Sequence, residues 1–256
     1  METVEDPSSS DASIVGATAS RRRAWVFGEL ALSYLMILAV IWTARPLQRW
    51  LYWVAIAWFV LTIVYSFPGW KAMGCSATGF WRSTWVVGVA LVLAASAMGL
   101  ASSFHTLHHP RGLLDWIFAF GGYTVWSLAQ QFLLQGYFLT RLSRVVPSAT
   151  FSAVIAACIF AMAHLPNPIL TGLTLLWGLA ACLVFLKTRN IWPLAMAHAI
   201  FGIAVAVTIP GPVVHNMRVG RGYLTYRAPR HSIHLSQSDH RVSTVAWVMD
   251  EAPTRR

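Results

Sequence analysis

The stretch WIFAFGGYTVWSLAQQFLLQGYFL, residues 116–139, decides the fold. It is apolar, aromatic and uncharged for longer than the roughly 20 residues a helix needs to cross a bilayer. Three glutamines, Gln130, Gln131 and Gln135, interrupt it. On a helix Gln131 and Gln135 share one face, which Ser127 extends, while Gln130 is turned about 100° away. A run this long reads as a membrane span, and its polar stripe as a candidate site, because such groups are costly in lipid.

Runs of similar length recur on both sides, at about residues 24–44, 50–67, 84–104, 147–163, 169–186 and 191–209. The expectation is an all-α polytopic membrane helical bundle of about seven transmembrane helices, within a range of six to eight. Tryptophans near the run ends (Trp25, Trp50, Trp81, Trp116, Trp192) suit an interfacial belt. Of 256 residues, 57% are hydrophobic and 11% charged, against about 25% charged in ordinary soluble chains. This excludes a disordered protein, a coiled coil and a soluble domain. Residues 1–23 read as a flexible polar N-terminus, 24–209 as the membrane domain and 210–256 as a basic, flexible tail. The first run is too long for a signal peptide's apolar segment and no clear cleavage site follows it, so it reads as a retained span. Cys75, Cys158 and Cys182 read as small apolar fillers, with no disulfide framework.

The net charge is +10, nearly all from arginine. The arginines sit between apolar runs, where the positive-inside bias accounts for them without nucleic acid. A cytoplasmic N-terminus collects Arg21, Arg22, Arg23, Lys71, Arg82, Arg141, Arg144, Lys187 and Arg189 on one side, leaving Arg45, Arg49 and Arg111 opposite. It puts the end of the fourth span, and with it a cavity mouth, toward the cytoplasm. The seven arginines after Pro210 oppose this for an odd span count. The expected location is a bacterial-type plasma membrane, with the lipid bilayer as one partner.

Two histidines join the glutamines as intramembrane polar groups. His164 ends the fifth run in Phe160-Ala-Met-Ala-His164-Leu-Pro166-Asn167-Pro168, just before a proline-broken turn. His198 lies shortly after Pro193, a helix-start residue. Each could be structural, since a buried Gln can tie helices together. Together they can also converge on one polar pocket.

The pattern resembles the CAAX prenyl protease and bacteriocin-processing (CPBP) family of intramembrane glutamic endopeptidases. That family carries Glu-Glu-x-x-x-Arg, then Phe-x-x-x-His, then His-x-x-x-Asn on successive spans. This chain has Gln130-Gln131-x-x-x-Gln135, Phe160-x-x-x-His164 and His198-x-x-x-Gly202. The resemblance covers about residues 115–209. It implies an endopeptidase acting on a peptide or protein substrate, lipid-modified or not, with no cofactor. It implies Gln130, Gln131, His164 and His198 at the catalytic positions. Gln135, Phe160 and Asn167 are expected as substrate contacts.

The departures bear on chemistry. Gln takes no proton at neutral pH, so glutamate-type base catalysis is lost. Asp115 stands fifteen residues before Gln130, about 22 Å along a helix, and cannot replace it. Glu29 reads as a juxtamembrane charge near Arg21 to Arg23. His164 can itself be the base while a Gln orients water and His198 donates to the oxyanion. The alternative is a non-catalytic family member that binds a membrane substrate or partner protein. His105, His108 and His109 read as an interfacial polar loop, and no metal site is expected. The four tail histidines, His215, His231, His234 and His240, lack ligand spacing.

Overall fold

The computed structural model describes residues 7–110 and 112–227, and every regular element among them is helical. α1 (Pro7–Trp42) and α2 (Leu47–Tyr65) pack as a hairpin. Short α3 (Phe80–Ser83) leads into α4 (Trp85–Ser103). α5 (Leu113–Gln131) continues through a π-helical segment (Phe132–Leu139) into α6 (Thr140–Val145). α7 (Ala149–Met162) and α8 (Pro168–Thr188) form a second hairpin, and α9 (Trp192–Thr208) packs on α4 and α5. Short α10 (Gly211–Val214), a 3-10 turn (His215–Met217) and α11 (Gly220–Leu224) follow.

Counting α5 to α6 as one pass, the described residues make seven apolar passes, as the hydropathy pattern predicts. Four stretches are long and apolar enough to cross a membrane unaided: Ser20–Trp42, Leu47–Tyr65, Phe80–Ser103 and Pro168–Thr188. Leu61, Val64, Leu91, Val92, Val125 and Leu176 are exposed, whereas Gln131, Gln135, Arg141 and Asn190 are buried. Polar groups inside and apolar groups outside are what lipid demands.

The two ends differ from expectation. α1 reaches back to Pro7, so residues 7–23, expected to be flexible, are helical. Residues 211–227, expected to belong to a flexible tail, are folded, and α11 lies against α1. The rest of the tail, with His231, His234 and His240, lies outside the described residues.

Asn167 explains the folded C-terminal strap. Its Oδ1 accepts from Leu170 N–H at 3.2 Å and caps α8, whose first residue is Pro168. Its Nδ2 donates to Val214 O at 2.9 Å and Arg218 O at 3.2 Å. Gly220 N–H donates to Leu165 O at 2.8 Å. Asn167, expected to contact substrate, clamps the strap to the start of α8; its neighbours across the fold, 47 and 51 residues on, could not be read from local sequence. Asn167→Ala should cost about 1–3 kcal/mol and expose residues 211–227 to protease. Thermal unfolding and limited proteolysis in detergent check this, and unchanged values for both would contradict it.

The passes alternate in direction. The ends of α2, α6 and α8 and the membrane entry of α1 share one face of the bundle, opposite the strap. Glu29 shows this. Expected to be a juxtamembrane charge near Arg21 to Arg23, it accepts instead from Arg141 Nε at 2.7 Å, both side chains being buried. Tyr137 Oη donates to the same carboxylate oxygen at 2.9 Å. A carboxylate is tolerated in the bundle because a guanidinium and a phenol satisfy it there. On the same face, Asn190 Nδ2 holds the loop between α2 and α3 through Ser76 O at 2.8 Å and Thr78 O at 3.1 Å. That loop dips inward and buries Met73, whose carbonyl would stand 2.9 Å from a Cβ at Gly136. The close approach requires glycine at this point of the π-helix.

Candidate active site

The π-helical segment sits at the centre of the bundle, packed on α5, α6, α7 and α8, and residues 134–139 are buried. Its wider winding lets the Gln135 carbonyl take the backbone N–H of Thr140, and the Thr140 hydroxyl donates to it as well at 2.8 Å. π-turns inside α-helices often mark functional sites. Nothing in the apolar pattern of 132–139 foretells one.

A chain of side-chain hydrogen bonds crosses this centre. Gln135 Nε2 donates to Gln131 Oε1 at 2.7 Å, as the four-residue spacing leads one to expect. Gln131 Nε2 in turn lies 2.8 Å from His198 Nδ1 on α9. With Oε1 accepting, Gln131 Nε2 is the donor, so His198 Nδ1 accepts and its proton resides on Nε2. His198 is thereby held as an N–H donor. The opposite polarity is built at His164: its Nδ1 donates to Phe160 O at 2.8 Å. In the neutral ring this leaves Nε2 with a free lone pair, and it makes no hydrogen bond among the described residues. The Phe160 ring stands against both imidazoles, with centroids 4.9 Å from His164 and 5.8 Å from His198.

The expected residues therefore divide. Gln131, Gln135, Phe160, His164 and His198 come together. Gln130 is half-buried and makes no hydrogen bond among the described residues, so the glutamine that meets a histidine is Gln131. Two buried polar atoms in the neighbourhood lack partners: the acceptor Gln135 Oε1 and the donor Trp177 Nε1. Trp177, on α8, lies 6.3 Å from the His198 ring between centroids. It escaped sequence reading because an apolar span hides a tryptophan among its neighbours. Unpaired buried groups of opposite polarity suit a peptide bond, which brings one donor and one acceptor.

Gly202 stands one turn beyond His198. A Cβ there would collide with the hydroxyl and ring of Tyr123 on α5, and the Tyr123 and His198 rings meet edge-on with centroids 6.4 Å apart. A phenol thus occupies the space a side chain at 202 would need. Gly202→Ala should destabilise by about 1–3 kcal/mol, and adding Tyr123→Ala should return part of the loss. Strictly additive losses in thermal unfolding would deny the contact.

Glu29 and Arg141 form a separate polar layer, reached along the same pass at Tyr137 and Arg141. No carboxylate belongs to the glutamine–histidine chain. Among the described residues no three His, Cys, Asp or Glu side chains gather as a metal site.

Residues 111–204 match the family described as Type II CAAX prenyl endopeptidase Rce1-like. The matched stretch runs from the start of α5 to most of α9, the part of the chain that holds the glutamines and both histidines. Neither a curated protein nor a solved structure matches the chain.

Proposed function

We propose that this Rce1-like domain is an intramembrane endopeptidase in which His164, rather than a glutamate, activates water. The observation that carries the reading is the pair of Nδ1 contacts, His164 to Phe160 O and His198 to the Gln131 amide, which assign a bare Nε2 to the first ring and a protonated Nε2 to the second. A water held by the His164 lone pair loses a proton to it and attacks the scissile carbonyl carbon. The oxygen that gains charge accepts a hydrogen bond from the His198 Nε2–H, with the Trp177 indole N–H nearby as a further donor. The carbon–nitrogen bond then breaks and the proton passes from His164 to the leaving amine. Gln135 Oε1 accepts from a substrate backbone N–H. Gln131 keeps His198 in the required tautomer.

The substrate is a membrane-held peptide or protein segment, with prenylated C-termini as the first class to try. We place the N-terminal face in the cytoplasm, because Arg21 to Arg23, Lys71, Arg82, Arg144, Lys187 and Arg189 gather there.

A second reading, a substrate-binding member without hydrolysis, is favoured by one observation: no carboxylate belongs to the hydrogen-bonded chain. Purified protein incubated with a mixed peptide pool, prenylated C-termini included, in oxygen-18 water separates the two. The hydrolase leaves products whose new carboxylate carries the heavy oxygen. Retention of a pool member without cleavage supports the binding reading.

A further inference from the structure

On the face where α2, α6 and α8 end, a cavity of about 490 Å³ opens between the loop after α2, the last turn of α6 and the end of α8. Its lining carries three cations, Lys71, Arg144 and Arg189. Among the described residues none of the three side chains makes a hydrogen bond or ion pair, and the Arg189 guanidinium lies 5.4 Å over the Phe185 ring. The described side chains hold two carboxylates: Glu29, bound to Arg141, and Asp115, at the start of α5 on the opposite face. The two hydroxyls of the lining are already spent on helix carbonyls, Thr140 on Gln135 O at 2.8 Å and Ser143 on Leu139 O at 2.8 Å. What the cavity offers a ligand is therefore positive charge on one lining, which no described carboxylate pairs.

We propose that this cavity binds the phosphate of an anionic phospholipid headgroup. Three cations around one concavity repel one another and gain most from a single polyoxygen anion. A lipid is the source because of where the cavity lies. The passes that end at it expose Leu61, Val64 and Tyr65 on α2 and Leu183 on α8. Phe67 and Trp70, beside the lining residues in sequence, are exposed as well. A headgroup in the cavity leaves its acyl chains on an apolar wall, with aromatic side chains at the headgroup level. The layer beneath repeats the chemistry with its charge already cancelled, since Arg141 spends its Nε on Glu29. The site is independent of peptide hydrolysis and stands whether or not the glutamine–histidine chain is catalytic.

The test uses full-length protein released from vesicles of phosphatidylcholine and phosphatidylglycerol in equal parts, with retained lipid counted by native mass spectrometry. Wild type is expected to retain phosphatidylglycerol in preference to phosphatidylcholine. The triple variant K71S/R144Q/R189Q is expected to lose that preference, with affinity falling about fivefold for each cation neutralised. The charge-keeping variant K71R/R144K/R189K is expected to keep it, which separates loss of charge from loss of fold. Equal retention of phosphatidylglycerol by wild type and K71S/R144Q/R189Q would overturn the site. Thermal stabilisation by inorganic phosphate equal to that by phosphatidylglycerol would overturn the lipid assignment and leave a soluble-anion site.

Discussion

Arg141→Met should destabilise the protein by about 3–5 kcal/mol, because it leaves a carboxylate buried without its cation. Arg141 is 2% and Glu29 8% exposed, so water cannot take the place of either partner. The guanidinium also donates through Nη2 to Ser66 Oγ at 2.8 Å and Thr62 O at 3.2 Å, and lies 3.8 Å over the Tyr137 ring. Ser33 sits 2.7 Å from Tyr137 Oη and accepts from Trp58 Nε1 at 2.9 Å. The layer thus joins α1 and α2 to the central pass. The double variant Glu29→Gln with Arg141→Met should recover most of the loss, since no net charge then stays buried. Equilibrium unfolding of the three variants in one detergent checks this. A double variant as unstable as the sum of its parts would mean that the Arg141 stem, and not its charge, holds the helices.

His198→Ala should lower kcat for peptide hydrolysis about 10²–10³-fold with little change in KM, the loss expected when an oxyanion donor is removed. Gln131→Leu should act in the same direction but less, because it frees the ring to change tautomer without deleting the donor. A rise in KM at constant kcat for His198→Ala would instead make the imidazole a ground-state contact.

Single-helix spacing carried much of the site. Gln131 with Gln135, and Phe160 with His164, lie four residues apart, and both pairs meet as that spacing requires. The seven passes were legible for a similar reason, since lipid demands long apolar runs whatever their neighbours. Partners distant in the chain were not legible. Glu29 and Arg141 lie 112 residues apart, and each alone reads as a charge at a span end. The carbonyls that Asn167 binds arrive from the strap, 47 and 51 residues on, and were equally hidden. Gly202 stands where the family's motif has Asn, and the structure puts the Tyr123 hydroxyl in the space a side chain there would need. In a bundle apolar all round, periodicity no longer says which face a residue takes, so Trp177 was indistinguishable from its neighbours.

The central claim is that the His164 imidazole is the base. Its direct test is peptide hydrolysis by wild type and His164→Ala in the same detergent, with and without added imidazole. The account predicts cleavage by wild type, a loss of about 10²–10⁴-fold in the variant, and partial recovery when imidazole fills the vacated space. Cleavage by His164→Ala at the wild-type rate would contradict it, and so would a loss that imidazole leaves untouched while the variant stays folded.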